Sequence, residues 1–336
     1  MKAAVIGSGG WGTALALVLA ENGHAVSLWC RRADKCDQLR RTRENPVLKG
    51  VLLPEELELT PELSCAKDCN VVVLATPSFA VRDTARRLLP HLTPGTVVVS
   101  VSKGIEKNTS LLMSQIIEEE LGSEYPVVVL SGPSHAEEVA RGVPTAVVVA
   151  SQCRQAAELV QDLFMNHRFR IYTTPDILGV EIGAAMKNVI AICAGWCAGM
   201  GYGDNTKAML MTRGLTEMAR LGMAMGGRKE TFAGLAGLGD LIVTCTSMHS
   251  RNCRAGMAIG QGVPVEEAVS GQDGTVVEGY YAAASVCQLA EKLGVEMPIA
   301  SGAYAVLYKG EDPRTVLTRL MSREKKDELE AEEYWI

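Results

Sequence analysis

Residues 2–12 read KAAVIGSGGWG. A short apolar run, 2–6, leads directly into Gly7, Gly9 and Gly12 in the spacing G-x-G-x-x-G, followed by a helical pattern over 11–22 and a second apolar run over 25–29. Strand, glycine turn, helix and strand make a βαβ unit, with glycine where the turn is tight and where the backbone must let a pyrophosphate approach. The helix that opens there points free N–H groups at the phosphates. Glycine turns join strands to helices in many folds, so it is the complete unit around this one that points to a dinucleotide.

Outward from this unit, apolar strands are predicted at 71–75, 97–101, 127–131 and 146–150, with helical patterns at 79–89 and 111–121 between some of them. Near-continuous Val/Leu/Ile strands separated by helices imply a mainly parallel sheet covered on both faces. After Pro175 the pattern changes to helices, at 180–199, 206–225, 251–261, 275–293 and 299–309, with Asp204 and Asn205 as natural caps for the second. The expected fold is α/β: a Rossmann-type doubly wound sheet in residues 1–178, followed by an all-α C-terminal domain in residues 179–336. A chain of 336 residues suits two domains, each able to bury its own core. The tail at 324–333, with six acidic and two basic residues, reads as a solvated helix or frayed end without a catalytic role.

Charge and cysteine content narrow the function classes. With 33 basic and 39 acidic residues the net charge is −6, and no Lys/Arg-dense run offers a footprint for nucleic acid or an anionic membrane surface. Nucleic acid is therefore not an expected partner. The ten cysteines lack C-x-x-C spacing and read as reduced, mostly buried thiols. Cys193 and Cys197 fall one helical turn apart, but no histidine lies near them in sequence, so core packing is expected and no metal site. The N-terminus enters a strand without a signal-peptide layout, which sets a cytoplasmic expectation. The apolar run after Lys187 carries Gly195, Gly199, Gly201 and Gly203 and extends only 16 residues to Gly203. That is below the roughly 17 to 25 needed to cross a bilayer, so a buried helix is expected and no integral membrane association.

Lys187 is the only charged residue in the 22-residue stretch 182–203, IGAAMKNVIAICAGWCAGMGYG. Burial disfavours an ammonium and lowers its pKa towards the range useful for proton transfer beside a carbonyl. A lysine snorkelling from the end of a core helix fits the same position. Arg31 and Arg32 end the second strand, where an NAD enzyme places an acidic residue on the ribose hydroxyls. Paired guanidiniums suit a 2′-phosphate, so NADP(H) is the preferred expectation with NAD(H) admissible, although the pair also fits plain surface charge. Lys103, in the segment that ends the 97–101 strand, is placed to reach a cleft outside the carboxyl ends of the strands. Asp240 and Thr244, four apart in and after GLAGLGDL, point the same way on a helix. Ser250, Arg251 and Asn252 open a helical segment and fit either a phosphate holder or an ordinary N-cap with a solvated arginine. The turn Ser131-Gly132-Pro133-Ser134 either faces the same cleft or is only a turn.

Together these residues carry a family resemblance. The segments GSGGWGTALA from Gly7, SKGIE from Ser102, GPSHAEEV from Gly132, AAMKNVIAI from Ala184, GDNTKAMLMTRGLTEM from Gly203, GLGDLIVTC from Gly237, SRN from Ser250 and VVEG from Val276 resemble the bacterial-type, soluble NAD(P)-dependent glycerol-3-phosphate dehydrogenases. They occur in order from residue 7 to residue 279, nearly the whole chain. The resemblance implies a helical domain that dimerises, and reversible reduction of dihydroxyacetone phosphate to sn-glycerol 3-phosphate for glycerophospholipid synthesis.

Residue by residue, it implies that Lys187 is the proton donor in reduction and that Lys103 contacts both cofactor and substrate. Gly132 and Ser134 match substrate-binding positions, and Asp240, Ser250, Arg251 and Asn252 match the substrate and phosphate site. Gly10, Trp11, Arg31, Arg32, Ala136, Arg251, Val276 and Glu278 match positions near the nucleotide. His135 is a departure, since many relatives have Phe there, and the resemblance gives it no role. Two other readings remain: a different Rossmann-plus-helical reductase of the β-hydroxyacid or ketopantoate type, and a non-catalytic NADP(H)-binding sensor. The first lacks the pairing of GLGDL with Ser250-Arg251-Asn252, and the second has no need of Lys187.

Overall fold

A computed structural model describes residues 1–270 and 276–328. Eight strands form one sheet: β1 (Lys2–Ile6), β2 (Ala25–Trp29), β3 (Glu58–Thr60), β4 (Val71–Leu74), β5 (Val97–Ser100), β6 (Val127–Ser131), β7 (Thr145–Ala150) and β8 (Phe169–Thr174), in the order β3-β2-β1-β4-β5-β6-β7-β8. The first six are parallel, β7 runs antiparallel to β6, and β8 is parallel to β7. The chain between β6 and β7 contains only the four-residue helix α5, too little for a crossover helix, so the next strand returns antiparallel. Strand order reverses between β1 and β4, and the crevice outside their carboxyl ends is where such sheets bind ligands.

Helices α1 (Gly10–Glu21), α2 (Ala33–Thr42), α3 (Val81–Leu88), α4 (Met113–Leu121), α5 (Ala136–Val139) and α6 (Arg154–Phe164) accompany the sheet. Separate apolar clusters on its two faces, one around Leu15, Val73 and Phe164, the other around Val72, Leu88 and Ile117, account for the near-continuous apolar strands. The sequence pattern did not foresee β3, β8, α2 or α6.

From residue 177 onward the described residues are helical or irregular: α7 (Ile177–Gly199), α8 (Asp204–Ala224), α9 (Lys229–Ala233), α10 (Asp240–Thr246), α11 (Arg251–Gly260), α12 (Val265–Val269), α13 (Glu278–Leu293), α14 (Pro298–Lys309) and α15 (Pro313–Met321). Two expectations need correction. Asp204 and Asn205 do not cap α8: its N-cap is Gly203, and Asp204 sits in the first turn, where its charge complements the helix dipole. The apolar helix starts at Ile177, capped by Asp176, so at 23 residues it is long and apolar enough by length and composition to cross a membrane. It packs instead as the central helix of the C-terminal part, with 94% of its most apolar window buried inside the protein. In the acidic tail, residues 324–328 carry no helix, and 329–333 lie outside the described residues, as does Thr275 at the predicted start of α13.

Glycines let α7 and α11 touch along their backbones. A Cβ on Gly195 would lie 2.1 Å from the Cys253 carbonyl oxygen, and one on Gly256 would lie 2.0 Å from that of Ile192. This contact fixes the start of α11, with Ser250 and Arg251, relative to the α7 face that carries Lys187. Cys193 and Cys197 are buried in the same core, all ten thiols are free, and no cluster able to hold a metal occurs among the described residues.

Candidate active site

Lys187 lies in the middle of α7 and is 7% exposed. Its Nζ donates to Asp240 Oδ1 at 2.5 Å and to Thr244 Oγ1 at 2.8 Å. The other carboxylate oxygen, Oδ2, accepts from Lys103 Nζ at 2.6 Å, and Lys103 also donates to the Gly132 carbonyl at 3.2 Å. One 1%-exposed carboxylate thus holds two ammonium groups that arrive from opposite sides, α7 and the end of β5. Each ammonium has three protons and places two on protein acceptors, leaving one for a ligand. A π-helical turn at Leu235–Gly239 delivers Asp240 to this position, and a Cβ on Gly239 would lie 3.6 Å from the Pro133 side chain, so this turn packs against the loop after β6. Thr244, one turn along α10, also donates to the Asp240 carbonyl at 2.6 Å.

Burial is the largest influence on Lys187 and lowers its pKa; Asp240 raises it and Lys103 lowers it, with a net value of about 8. Burial pushes Asp240 up, but the two lysines outweigh it and hold the carboxyl below its ordinary range. The sequence could not settle this balance of burial and neighbouring charge.

At the glycine turn, Gly7 has φ +131°, and a Cβ on it would lie 2.5 Å from the Ala75 carbonyl oxygen; one on Gly12 would lie 2.0 Å from the Gly7 carbonyl oxygen. Those two glycines close the turn. A Cβ on Gly9 would meet nothing within 4 Å, which leaves its backbone open to a pyrophosphate. Gly10 approaches Ala136, with 3.5 Å from its hypothetical Cβ to the alanine Cβ. Trp11 Nε1 and, just past β4, Thr76 Oγ1 are buried without a hydrogen-bond partner among the described residues, as groups waiting for a ligand would be. Arg31 and Arg32 are exposed at the start of α2, with Arg32 Nε 3.6 Å from Asp34 Oδ1. These features fit a dinucleotide. Glu278 begins α13 and accepts from Ser78 Oγ at 2.9 Å, joining the helical part to the loop after β4; burial raises its pKa. Val276 lies two residues before it, half-buried.

Ser250 caps α11, accepting from the Cys253 N–H at 3.2 Å. Arg251 is exposed and makes no side-chain hydrogen bond or ion pair among the described residues. Asn252 is committed within the fold: Nδ2 donates to Asn188 at 2.9 Å and Oδ1 accepts from the Gly279 N–H at 2.8 Å. Ser250 thus caps the helix, and Arg251 stays available to an anion. Ser134 Oγ donates to the Gly132 carbonyl at 2.9 Å, so the loop after β6 meets Lys103 at one oxygen. Sequence reasoning missed two supports of the glycine turn. Asn45, fully buried, donates to the Ser8 carbonyl at 3.1 Å and to Thr13 Oγ1 at 2.7 Å, and Lys35 donates to the Ser8 carbonyl at 3.0 Å. Both come from beyond the βαβ unit, and no local spacing announces them.

A doubly wound sheet with an open glycine turn, facing a buried lysine of shifted pKa on a helical C-terminal part, defines a nicotinamide-nucleotide-dependent oxidoreductase. Comparison with known proteins agrees and is more specific. Residues 2–157 match the family model described as NAD-dependent glycerol-3-phosphate dehydrogenase N-terminus, and residues 176–318 match the one for its C-terminus. The chain belongs to the NAD-dependent glycerol-3-phosphate dehydrogenase family. It is 51% identical to glycerol-3-phosphate dehydrogenase [NAD(P)+] of Desulfitobacterium hafniense, covering 98% of this chain and 93% of that one, and 52% identical to that of Moorella thermoacetica, covering 98% of both. A crystal structure of glycerol-3-phosphate dehydrogenase from Coxiella burnetii superposes with a TM-score of 0.92 at 38% identity, over 96% of this chain and 99% of that one.

Proposed function

We propose that this protein reversibly reduces dihydroxyacetone phosphate to sn-glycerol 3-phosphate, with NADP(H) preferred over NAD(H), and that the product feeds glycerophospholipid synthesis in the cytoplasm. The observation that carries the reading is the bridge from Lys187 through Asp240 to Lys103, with Arg251 exposed at the start of α11. NADP(H), when bound, supplies the hydride. Gly7, Gly9, Gly10, Trp11 and Gly12 hold the nucleotide, Arg31 and Arg32 meet a 2′-phosphate, and Ala136, Val276 and Glu278 line its site. Lys187 donates the proton that neutralises oxygen as the ketone becomes an alcohol, and takes it back in oxidation. Lys103 uses its free N–H on the reacting end of the substrate, Asp240 orients both lysines, and Gly132 and Ser134 shape the loop beside them. Arg251, with Ser250 and the backbone at Asn252, holds the phosphate.

In this reading residues 1–178 are the nucleotide-binding domain and 179–336 the substrate-binding domain, which also forms a homodimer without integral membrane association. Exposed Tyr202, Met209, Met223, Tyr281 and Tyr308 give the helical part apolar surface suited to pairing. The test is oxidation of NADPH, and separately NADH, with dihydroxyacetone phosphate, against unphosphorylated dihydroxyacetone and ketopantoate. Phosphate-dependent oxidation is expected, with Arg251→Ala chiefly raising KM for the phosphorylated substrate. Turnover of ketopantoate in its place would transfer the chain to the other reductase reading.

A further inference from the structure

We propose that His135, beside His249, is a titrating hydrogen-bond donor to the substrate phosphate, so that the phosphate binds more tightly at neutral than at alkaline pH. This rests on the phosphorylated-substrate reading above and adds a residue to it.

His135 is the N-cap residue of α5, next to Ser134. Its Nε2 is buried from solvent and has no hydrogen-bond partner among the described residues. Buried polar groups are rarely left unpaired, and where one persists a ligand commonly completes it. The ring of His249 lies 5.6 Å away, centroid to centroid, tilted by 51°. The two histidines come from different parts of the chain, His135 from the loop after β6 and His249 from the turn between α10 and α11. His249 directly precedes Ser250 and Arg251. Two donors without a hydrogen-bond partner among the described residues, an imidazole nitrogen of His135 and the guanidinium of Arg251, thus belong to residues at either end of this contact, Arg251 lying two positions after His249. A phosphate monoester dianion, with three acceptor oxygens, matches that pair.

The groups acting on the His135 ring set its response. Burial most strongly disfavours its proton, and Lys187 on α7 adds to this; the Val243 carbonyl of α10 and Glu137 and Glu138 of α5 favour the proton, and the balance is a pKa below the ordinary value of 6.5. The ring is thus neutral at pH 7 in the free protein. A dianion arriving against it reverses the balance, so the ring takes up a proton from solvent as substrate binds. Phe at this position cannot donate or titrate; Gln can donate but cannot titrate.

The experiment measures kcat and KM for dihydroxyacetone phosphate with NADPH from pH 6 to 9 in the wild type, His135→Phe and His135→Gln. Above pH 7 the substrate is already a dianion, so wild-type KM should climb there as the imidazolium is lost. His135→Phe should raise KM about fivefold to twentyfold at pH 6.5, with the gap closing towards pH 9 and the loss in KM rather than kcat. His135→Gln should recover part of the affinity with a KM that no longer climbs above pH 7. A His135→Phe KM that follows the wild type at every pH overturns the proposal. If His135→Phe fails to fold, the Gln variant decides: a KM that climbs as in the wild type overturns it too. Absence of wild-type turnover with dihydroxyacetone phosphate, by contrast, removes the substrate reading itself and this inference with it.

Discussion

Lys187 Nζ lies 2.5 Å from Asp240 Oδ1 inside the protein, and yet its pKa is pulled down to about 8, because burial and Lys103 together outweigh the carboxylate. A lysine at about 8 is largely protonated at pH 7 and easily deprotonated above it, which suits a group that gives a proton in one direction and takes it in the other.

The sign of the pH dependence follows. Ketone reduction needs the ammonium, so its kcat/KM, which follows the free enzyme, should fall as pH rises through about 8, approaching tenfold per unit; alcohol oxidation needs the free amine, and its kcat/KM should rise over the same window. Asp240→Asn removes the carboxylate that pairs with both lysines, which lowers the Lys187 pKa further and shifts the falling limb of reduction to lower pH. It should also cost about 10²- to 10³-fold in kcat/KM, since both lysines lose their orientation. Profiles of kcat/KM measured in both directions check this, and flat profiles between pH 7 and 9 would remove Lys187 from proton transfer.

What the sequence made legible was whatever depends on local pattern. The βαβ unit, strands β4 to β7 and the change to helices after Pro175 each follow from spacing of apolar residues and glycines. Edge elements were not legible: β3 has three residues, β8 alternates buried with exposed positions at the sheet margin, and α2 buries only Cys36 and Leu39. At the site, the four-residue spacing placed Asp240 and Thr244 on one face, but nothing local tells that Asp240 reaches Lys187, 53 residues away, and Lys103, 137 residues away. For the same reason nothing local tells that the Asn252 side-chain amide bonds Asn188 and Gly279.

Two glycine-to-alanine variants should separate packing from binding. In Gly256→Ala the new methyl would lie 2.0 Å from the Ile192 carbonyl oxygen, so α7 and α11 must part, at a cost of about 3 kcal/mol or more. Thermal denaturation should show a Tm several degrees lower. In Gly9→Ala the methyl meets no protein atom within 4 Å, so Tm should stay near the wild type while NADPH binding, followed by fluorescence titration, weakens by at least tenfold. Full NADPH affinity in Gly9→Ala would mean that the pyrophosphate lies elsewhere.

Glu181 links the two parts of the chain away from the reacting groups. It is 3% exposed on α7 and accepts from Ser114 N at 2.9 Å and Ser114 Oγ at 2.5 Å, at the start of α4. Burial raises its pKa to about 7, with the Ser114 hydrogen bonds offsetting only part of the shift. An unfolded glutamate titrates near 4.3, so between about pH 4.5 and 7 the folded chain binds the extra proton and this residue's contribution to stability declines as pH rises; above pH 7 the decline is complete. Glu181→Gln keeps the shape without a charge to bury. Relative to the wild type it should gain about 2–3 kcal/mol on going from pH 5 to pH 8. Denaturant unfolding at the two pH values measures this difference, and a variant whose stability relative to wild type is the same at both would show that Glu181 keeps an ordinary carboxylate pKa in the folded chain.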